Sequence, residues 1–290
     1  YGEGNANVGL TLGRLGALLR QMGDDPGAEQ TFRDALEIAA RLPDETNLAF
    51  CDARCELAQI LQKRGKLDEA EVLVRESLRI RRLRPAGLEF QIAATLEQLV
   101  GVLSFSGKDP EAEAAFEEMI EAYRPVFAPD SATAAWLQLS YGLWLRQRGK
   151  TDKAEPYLRE AVRIYRLNPN PPRDLYAAAL DGLFQVLRKR EEAMDETVSV
   201  FHEVMDAIGH LYGRDHLLIA PHLLGFAQML EERDRAADAI PLVVDGIRIY
   251  RKAKGNDWDA TSSLKMLDRF VRRLVLAPEL AEAKYQVAAR

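Results

Sequence analysis

Cysteine is nearly absent: Cys51 and Cys55 are the two among 290 residues, too few for a disulfide framework and in keeping with a reducing compartment. No apolar run approaches the roughly 18 residues that a membrane-spanning helix requires, so a cytoplasmic location and no membrane partner are expected. Basic blocks are missing too. With 39 Lys and Arg against 45 Asp and Glu, the formal charge is −6, which gives no general attraction to nucleic acid or anionic lipid. The sequence has no Gly-x-x-x-x-Gly-Lys-Ser/Thr phosphate loop, no Gly-x-Ser-x-Gly elbow and no kinase-like set. All four histidines, His202, His210, His216 and His222, lie within 21 residues, and His202, Asp206 and His210 share a helical stripe, but their spacing matches no zinc signature. Cys51 and Cys55 share a helix face and lack two further ligands. The expectation is a chain that is not an enzyme, with no metal and no cofactor. It opens at Tyr1 rather than Met, which suggests a segment of something longer. At 47% apolar and 29% charged residues, it is not a disordered tail.

What the chain does have is a period. Gly23, Gly65, Gly107 and Gly149 are each 42 residues apart. Leucine repeats four residues earlier, at Leu19, Leu61, Leu103 and Leu145, continues at Leu187, and returns one residue late at Leu230. Alanine repeats five residues after each glycine, at Ala28, Ala70, Ala112 and Ala154, and returns at Ala239. A single insertion near Glu191 to Ala193 accounts for the shift. Pro43, Pro85 and Pro169, then Gly213 and Gly255, mark the other end of each unit.

Each unit holds two amphipathic helices, with apolar residues such as Leu12, Leu15 and Leu19, or Leu57 and Leu61, at three- and four-residue spacing. The first helix ends at the glycine, where a left-handed residue closes it without a Cβ clash. The second begins at once: in Asp25-Pro26 and Asp109-Pro110 a carboxylate can cap free N–H groups while proline occupies the first turn. Matched positions follow, at Phe32 and Ala35, Val74 and Ser77, Phe116 and Met119, Leu158 and Ala161, and Val243 and Gly246, with small residues where helices must approach closely. Nothing alternates with period two for long enough to form a strand, so the chain reads as all-α.

This order of large and small residues resembles the tetratricopeptide repeat (TPR), and its 42-residue length resembles the kinesin-light-chain-like type. Tyr212, Gly213, Arg214, Asp215 and His216 are similar to the linker of that type, and Tyr1 to Gly4 to the tail of a preceding one. The resemblance implies an α-solenoid of tandem helix-turn-helix repeats forming a right-handed superhelix, with a concave groove lined by the first helices. A single solenoid over 1–290 is expected. Its repeats would span 6–47, 48–89, 90–131, 132–173, 174–215 and 216–258, with a partial or capping pair at 259–290, where Leu264, Leu267 and Val271 fit a first helix.

Three sets of residues are expected on the groove face. Gln59, Gln185 and Gln228, six residues before the turn, could grip a peptide backbone through their amides, or be solvated surface residues. Three residues before the turn come Arg20, Arg146 and Arg188, with Gln62 at the same position and Lys63 beside it. The arginines could hold an acidic partner through paired hydrogen bonds, or pair with carboxylates of adjacent repeats. Trp136, Leu139 and Leu143, with Phe105 one unit earlier, would form an apolar patch where Gly101 leaves space, or bury against a neighbouring helix. The expected function is a non-catalytic protein-interaction scaffold binding a protein or peptide with acidic and aromatic or apolar character. The alternatives are a sensory or regulatory segment of a larger bacterial signalling enzyme, or self-association through the end repeats.

Overall fold

The computed structural model describes residues 6–42, 48–83 and 85–254. The expected linker at Tyr1 to Gly4 and the partial pair at 259–290 lie outside these residues. Among the described residues there are twelve α-helices and no strand. They run in six consecutive pairs: α1 (Ala6–Gln21) with α2 (Asp25–Ala39), α3 (Cys51–Lys63) with α4 (Leu67–Arg82), and α5 (Glu89–Phe105) with α6 (Asp109–Tyr123). The remaining pairs are α7 (Ala132–Gln147) with α8 (Thr151–Leu167), α9 (Arg173–Leu187) with α10 (Met194–Tyr212), and α11 (Ile219–Glu232) with α12 (Ala236–Lys254). This is the tandem helical-pair fold of a TPR α-solenoid. Two compact units divide the chain: Tyr1–Pro129 holds α1 to α6, and Asp130–Arg290 holds α7 to α12.

The glycine and leucine periods are two parts of one turn. Gly23, Gly65, Gly107 and Gly149 all have positive φ, between 70° and 83°. In each case the next residue donates its backbone N–H to the carbonyl of the periodic leucine five residues earlier: Asp24 to Leu19, Lys66 to Leu61, Lys108 to Leu103 and Lys150 to Leu145, at 2.9–3.0 Å. This six-residue closure satisfies carbonyls that the end of a helix would leave free. In the sixth pair Asp234 takes the left-handed position with φ 58°, and Arg235 donates to Leu230 at 2.8 Å. The fifth pair is the exception. Glu191 stands where glycine is due, and the chain passes through a 3-10 turn at Glu191–Ala193, where the single insertion was expected.

Helix starts follow local chemistry. Asp24 accepts from the Gly27 N–H at 2.9 Å while Pro26 sits in the first turn of α2, so the capping carboxylate is Asp24 rather than Asp25. Ser131 caps α7 by accepting from Ala134 N–H at 3.1 Å. The periodic alanines Ala28, Ala70, Ala112, Ala154 and Ala239 are completely buried. An ideal Cβ on Gly16 would meet the Phe32 ring at 2.8 Å, and one on Gly142 would meet Leu158 Cγ at 2.7 Å, so helix axes come close where the small residues repeat.

Charge repeats as well. Glu29, Glu71, Glu113 and Glu155 are 42 residues apart, and Glu29, Glu71 and Glu155 are buried. Glu71 accepts from Arg75 of its own helix and from Lys108 of the next pair, both at 2.7 Å. Glu29 meets Arg33, Arg64 and Lys66, and Glu155 meets Arg159 and Arg190. Burial alone would raise the Glu71 carboxyl, but Lys108 and Arg75 outweigh it and hold it below its usual range. Further out on the second helices, an arginine reaches a glutamate 36 or 37 residues later: Arg33 to Glu69, Arg75 to Glu111, Arg82 to Glu118, Arg159 to Glu196 and Arg166 to Glu203. Each of these exposed pairs is worth up to about 1 kcal/mol. The buried glutamates matter more, because each would be stranded without its cations.

Candidate binding site on the first helices

In the second unit the first helices α7, α9 and α11 bring a polar group together. His222 on α11 places Nε2 at 2.8 Å from Asp181 Oδ1 on α9 and Nδ1 at 2.7 Å from the Leu218 carbonyl. Both ring nitrogens face acceptors, and only the doubly protonated imidazolium donates to both. Burial would depress its pKa, but the hydrogen bond and charge of Asp181, with the Leu218 carbonyl, raise it above its ordinary value. Asp181 shows the reverse balance: burial favours the neutral acid, and His222, Gln185 and the charge of Arg146 outweigh it and lower its pKa. The Gln185 amide donates to Asp181 Oδ1 at 3.1 Å.

Arg188 lies across the next first helix. Its Nη1 donates to the Gly225 carbonyl at 3.3 Å, and an ideal Cβ at Gly225 would come within 3.0 Å of that nitrogen. Leu143 covers Gly182 in the same manner, with Cδ2 at 2.9 Å from an ideal Cβ. The Nε atoms of Arg146 and Arg188 are buried without a hydrogen-bond partner. Neither arginine has a carboxylate within ion-pair distance among the described residues. Trp136 is half-buried on α7, and Gln228 on α11 is exposed and donates to Glu232 at 3.0 Å.

The first unit commits its equivalent residues differently. Arg20 pairs with Glu56 and donates to Gln59 Oε1 at 3.3 Å, so the adjacent-repeat pairing weighed for these arginines holds at Arg20. Lys63 reaches Asp25 at 3.7 Å. Gln62 Nε2 lies 3.5 Å from an ideal Cβ on Gly101, so the space expected there is occupied by a side-chain amide. Phe105 is 74% exposed.

One expected groove residue is placed otherwise. Leu139, at 3% exposure, is a packing residue and adds no open apolar surface. It shares its register, ten residues before the turn, with the buried Cys55 and with Asp181. A first helix in a stack is flanked by further first helices as well as by its second helix, so its buried arc is wider than an isolated hairpin implies. Cys51 and Cys55 are buried and form no disulfide, with burial raising both thiols. Among the described residues no group of three His, Cys, Asp or Glu is arranged to hold a metal, and no helix is long and apolar enough to cross a membrane.

Comparison with known proteins agrees with this architecture. The tetratricopeptide repeat family is matched over residues 7–82 and 91–166, just over half of the chain. No curated protein matches. Among solved structures, BtubC (BKLC) from P. vanneervenii is similar at 18% identity and TM-score 0.62, over 84% of this chain and 94% of that one. A Podosopora anserina protein described as a kinesin light chain with nearly identical TPR-like repeats aligns at 16% identity and TM-score 0.58, over 74% of this chain and 100% of that one. PH0952 from Pyrococcus horikoshii, a STAND protein with a tetratricopeptide repeat sensor, aligns at 14% identity and TM-score 0.65, over 95% of this chain and 42% of that one. At these identities the likeness is one of fold. With the family match, the 42-residue turns and the six helical pairs together, the chain belongs to the tetratricopeptide repeat family.

Proposed function

We propose that the chain is a protein-interaction scaffold that binds an acidic peptide or protein segment on the first-helix face of its second unit. One observation carries this reading. Arginines on the second helices are consumed by carboxylates of the neighbouring pair, as Arg159 and Arg166 are, whereas Arg146 and Arg188 on the first helices meet none among the described residues. Two such cations are suited to an incoming carboxylate, which a guanidinium holds through parallel hydrogen bonds. Gln185 and Gln228 add donors and acceptors for a peptide backbone. Trp136 and Leu143 supply the apolar contact that often dominates such binding. Phe105, Gln59, Gln62 and Lys63 extend the same face type in the first unit, where Glu56 and Asp25 already neutralise part of the charge.

The role assigned is scaffolding without catalysis, in a cytoplasmic setting. Selection from a random peptide library tests it. Bound sequences are expected to be enriched in Asp or Glu near an aromatic or aliphatic residue, and an R146A/R188A variant should lose that enrichment. Identical selections from both proteins would overturn the assignment. A sensory segment of a larger signalling enzyme is the second reading, favoured by the repeat sensor of PH0952, which shares this fold.

A further inference from the structure

A cavity of about 370 Å³ opens between the first turn of α9 and the C-terminal half of α10. Arg173, Tyr176, Glu203, Asp206, Ala207 and His210 line it. The stripe of first-helix residues described above is not involved. One wall is closed by internal bonds: Glu203 Oε1 accepts from Arg166 Nη2 at 2.7 Å, and Oε2 from the Tyr176 hydroxyl at 3.0 Å. That carboxylate is neutralised and both its oxygens are taken.

The other groups are uncommitted. Arg173, Asp206 and His210 make no hydrogen bond or ion pair with any described residue. This sets Arg173 apart from Arg159, Arg163 and Arg166 nearby, each held by a carboxylate. Arg173 on α9 and Asp206 on α10 stand farther apart than an ion-pair contact, with the cavity bordered by both. A ligand with only negative charge would meet Arg173 but also Asp206; one with only positive charge would meet the reverse. An apolar ligand would strip water from three polar groups without replacing their hydrogen bonds. A molecule carrying both charges satisfies the two sides together.

We propose that this cavity binds a small zwitterion, a free α-amino acid, with its carboxylate on Arg173 and its ammonium on Asp206. Arg173 offers the paired donors that a carboxylate accepts, and Asp206 is an acceptor for the ammonium. Tyr176, Ala207 and His210 then lie against the ligand's side chain. The volume is within the range of small-molecule sites, roughly 300–1,000 Å³.

Isothermal titration with each of the twenty free L-amino acids tests this, followed by the N-acetyl and C-amide forms of any that binds. Saturable binding of one or more free amino acids is expected, weakened about tenfold or more in both R173A and D206N, with neither capped form binding. R173A truncates and D206N neutralises an exposed side chain that holds nothing among the described residues, so the variants should melt as the parent does. No saturable binding up to about 10 mM, binding unchanged in the two variants, equal binding of capped forms, or unfolding of either variant would each overturn the proposal.

Discussion

Replacing His222 with glutamine is expected to weaken the second unit in a pH-dependent way. Asp181 and His222 join α9 to α11 through a 2.8 Å contact, and the His222 side chain is 13% exposed. Removing one member of a fully buried ion pair costs about 3–5 kcal/mol. Asp181 is partly open, at 33%, and keeps Gln185 and the field of Arg146, so the lower figure of about 2–3 kcal/mol is appropriate. At roughly 2–4 °C per kcal/mol for a unit of this size, the melting temperature should fall by about 4–12 °C. The sign follows from the raised pKa of His222. The charged ring is favoured more strongly in the folded state, so its contribution is fully present below the unfolded value of about 6.5 and is lost as pH rises through the higher folded value. Thermal melts followed by circular dichroism between pH 5.5 and 9, on parent and H222Q, measure the effect. The two melting temperatures should converge toward the alkaline end. A difference that stays constant over this range, or no difference at pH 6, would refute the reasoning.

The carboxylate clamps give the opposite slope. Glu71 has a lowered pKa, so its contribution is present above the unfolded value and is lost as pH falls through the folded one; E71Q should cost about 1–3 kcal/mol at pH 7 and flatten the acid side of the melting profile. Gly149 has φ 73°, and G149A should destabilise by about 1 kcal/mol in chemical denaturation, because an L side chain resists the left-handed region. Leu158 is completely buried and lies against Gly142 and Gly182, so L158A should cost about 2–5 kcal/mol by the same assay.

The backbone was readable because its determinants are local and apolar. A glycine with positive φ and the leucine carbonyl that closes its turn lie five residues apart or fewer, and the same pair recurs every 42 residues. In five of the six pairs the first helix ends two residues before its positive-φ turn residue. The single insertion expected near Glu191 to Ala193 coincides with the 3-10 turn at Glu191–Ala193. What went unread was long-range and charged. The glutamates at 29, 71, 113 and 155 repeat as regularly as the alanines beside them, yet exposed and clamped glutamates look alike until the neighbouring pair is placed. The steps from Arg33 to Glu69 and from Arg166 to Glu203 span 36 and 37 residues, out of step with the 42-residue period. For Leu139 the sequence left groove and burial both open, and the neighbouring first helices decide it: the side chain is buried. Asp181 and His222 belong to different repeats and became a pair only through stacking.

On the proposed reading, the second unit receives its partner on α7, α9 and α11. Backbone amide shifts recorded while a selected acidic peptide is added test this most directly. The largest changes should fall on Arg146, Gln185, Arg188 and Gln228 and their helical neighbours. Changes confined to the second helices α8, α10 and α12, with those four residues unmoved at saturation, would contradict it.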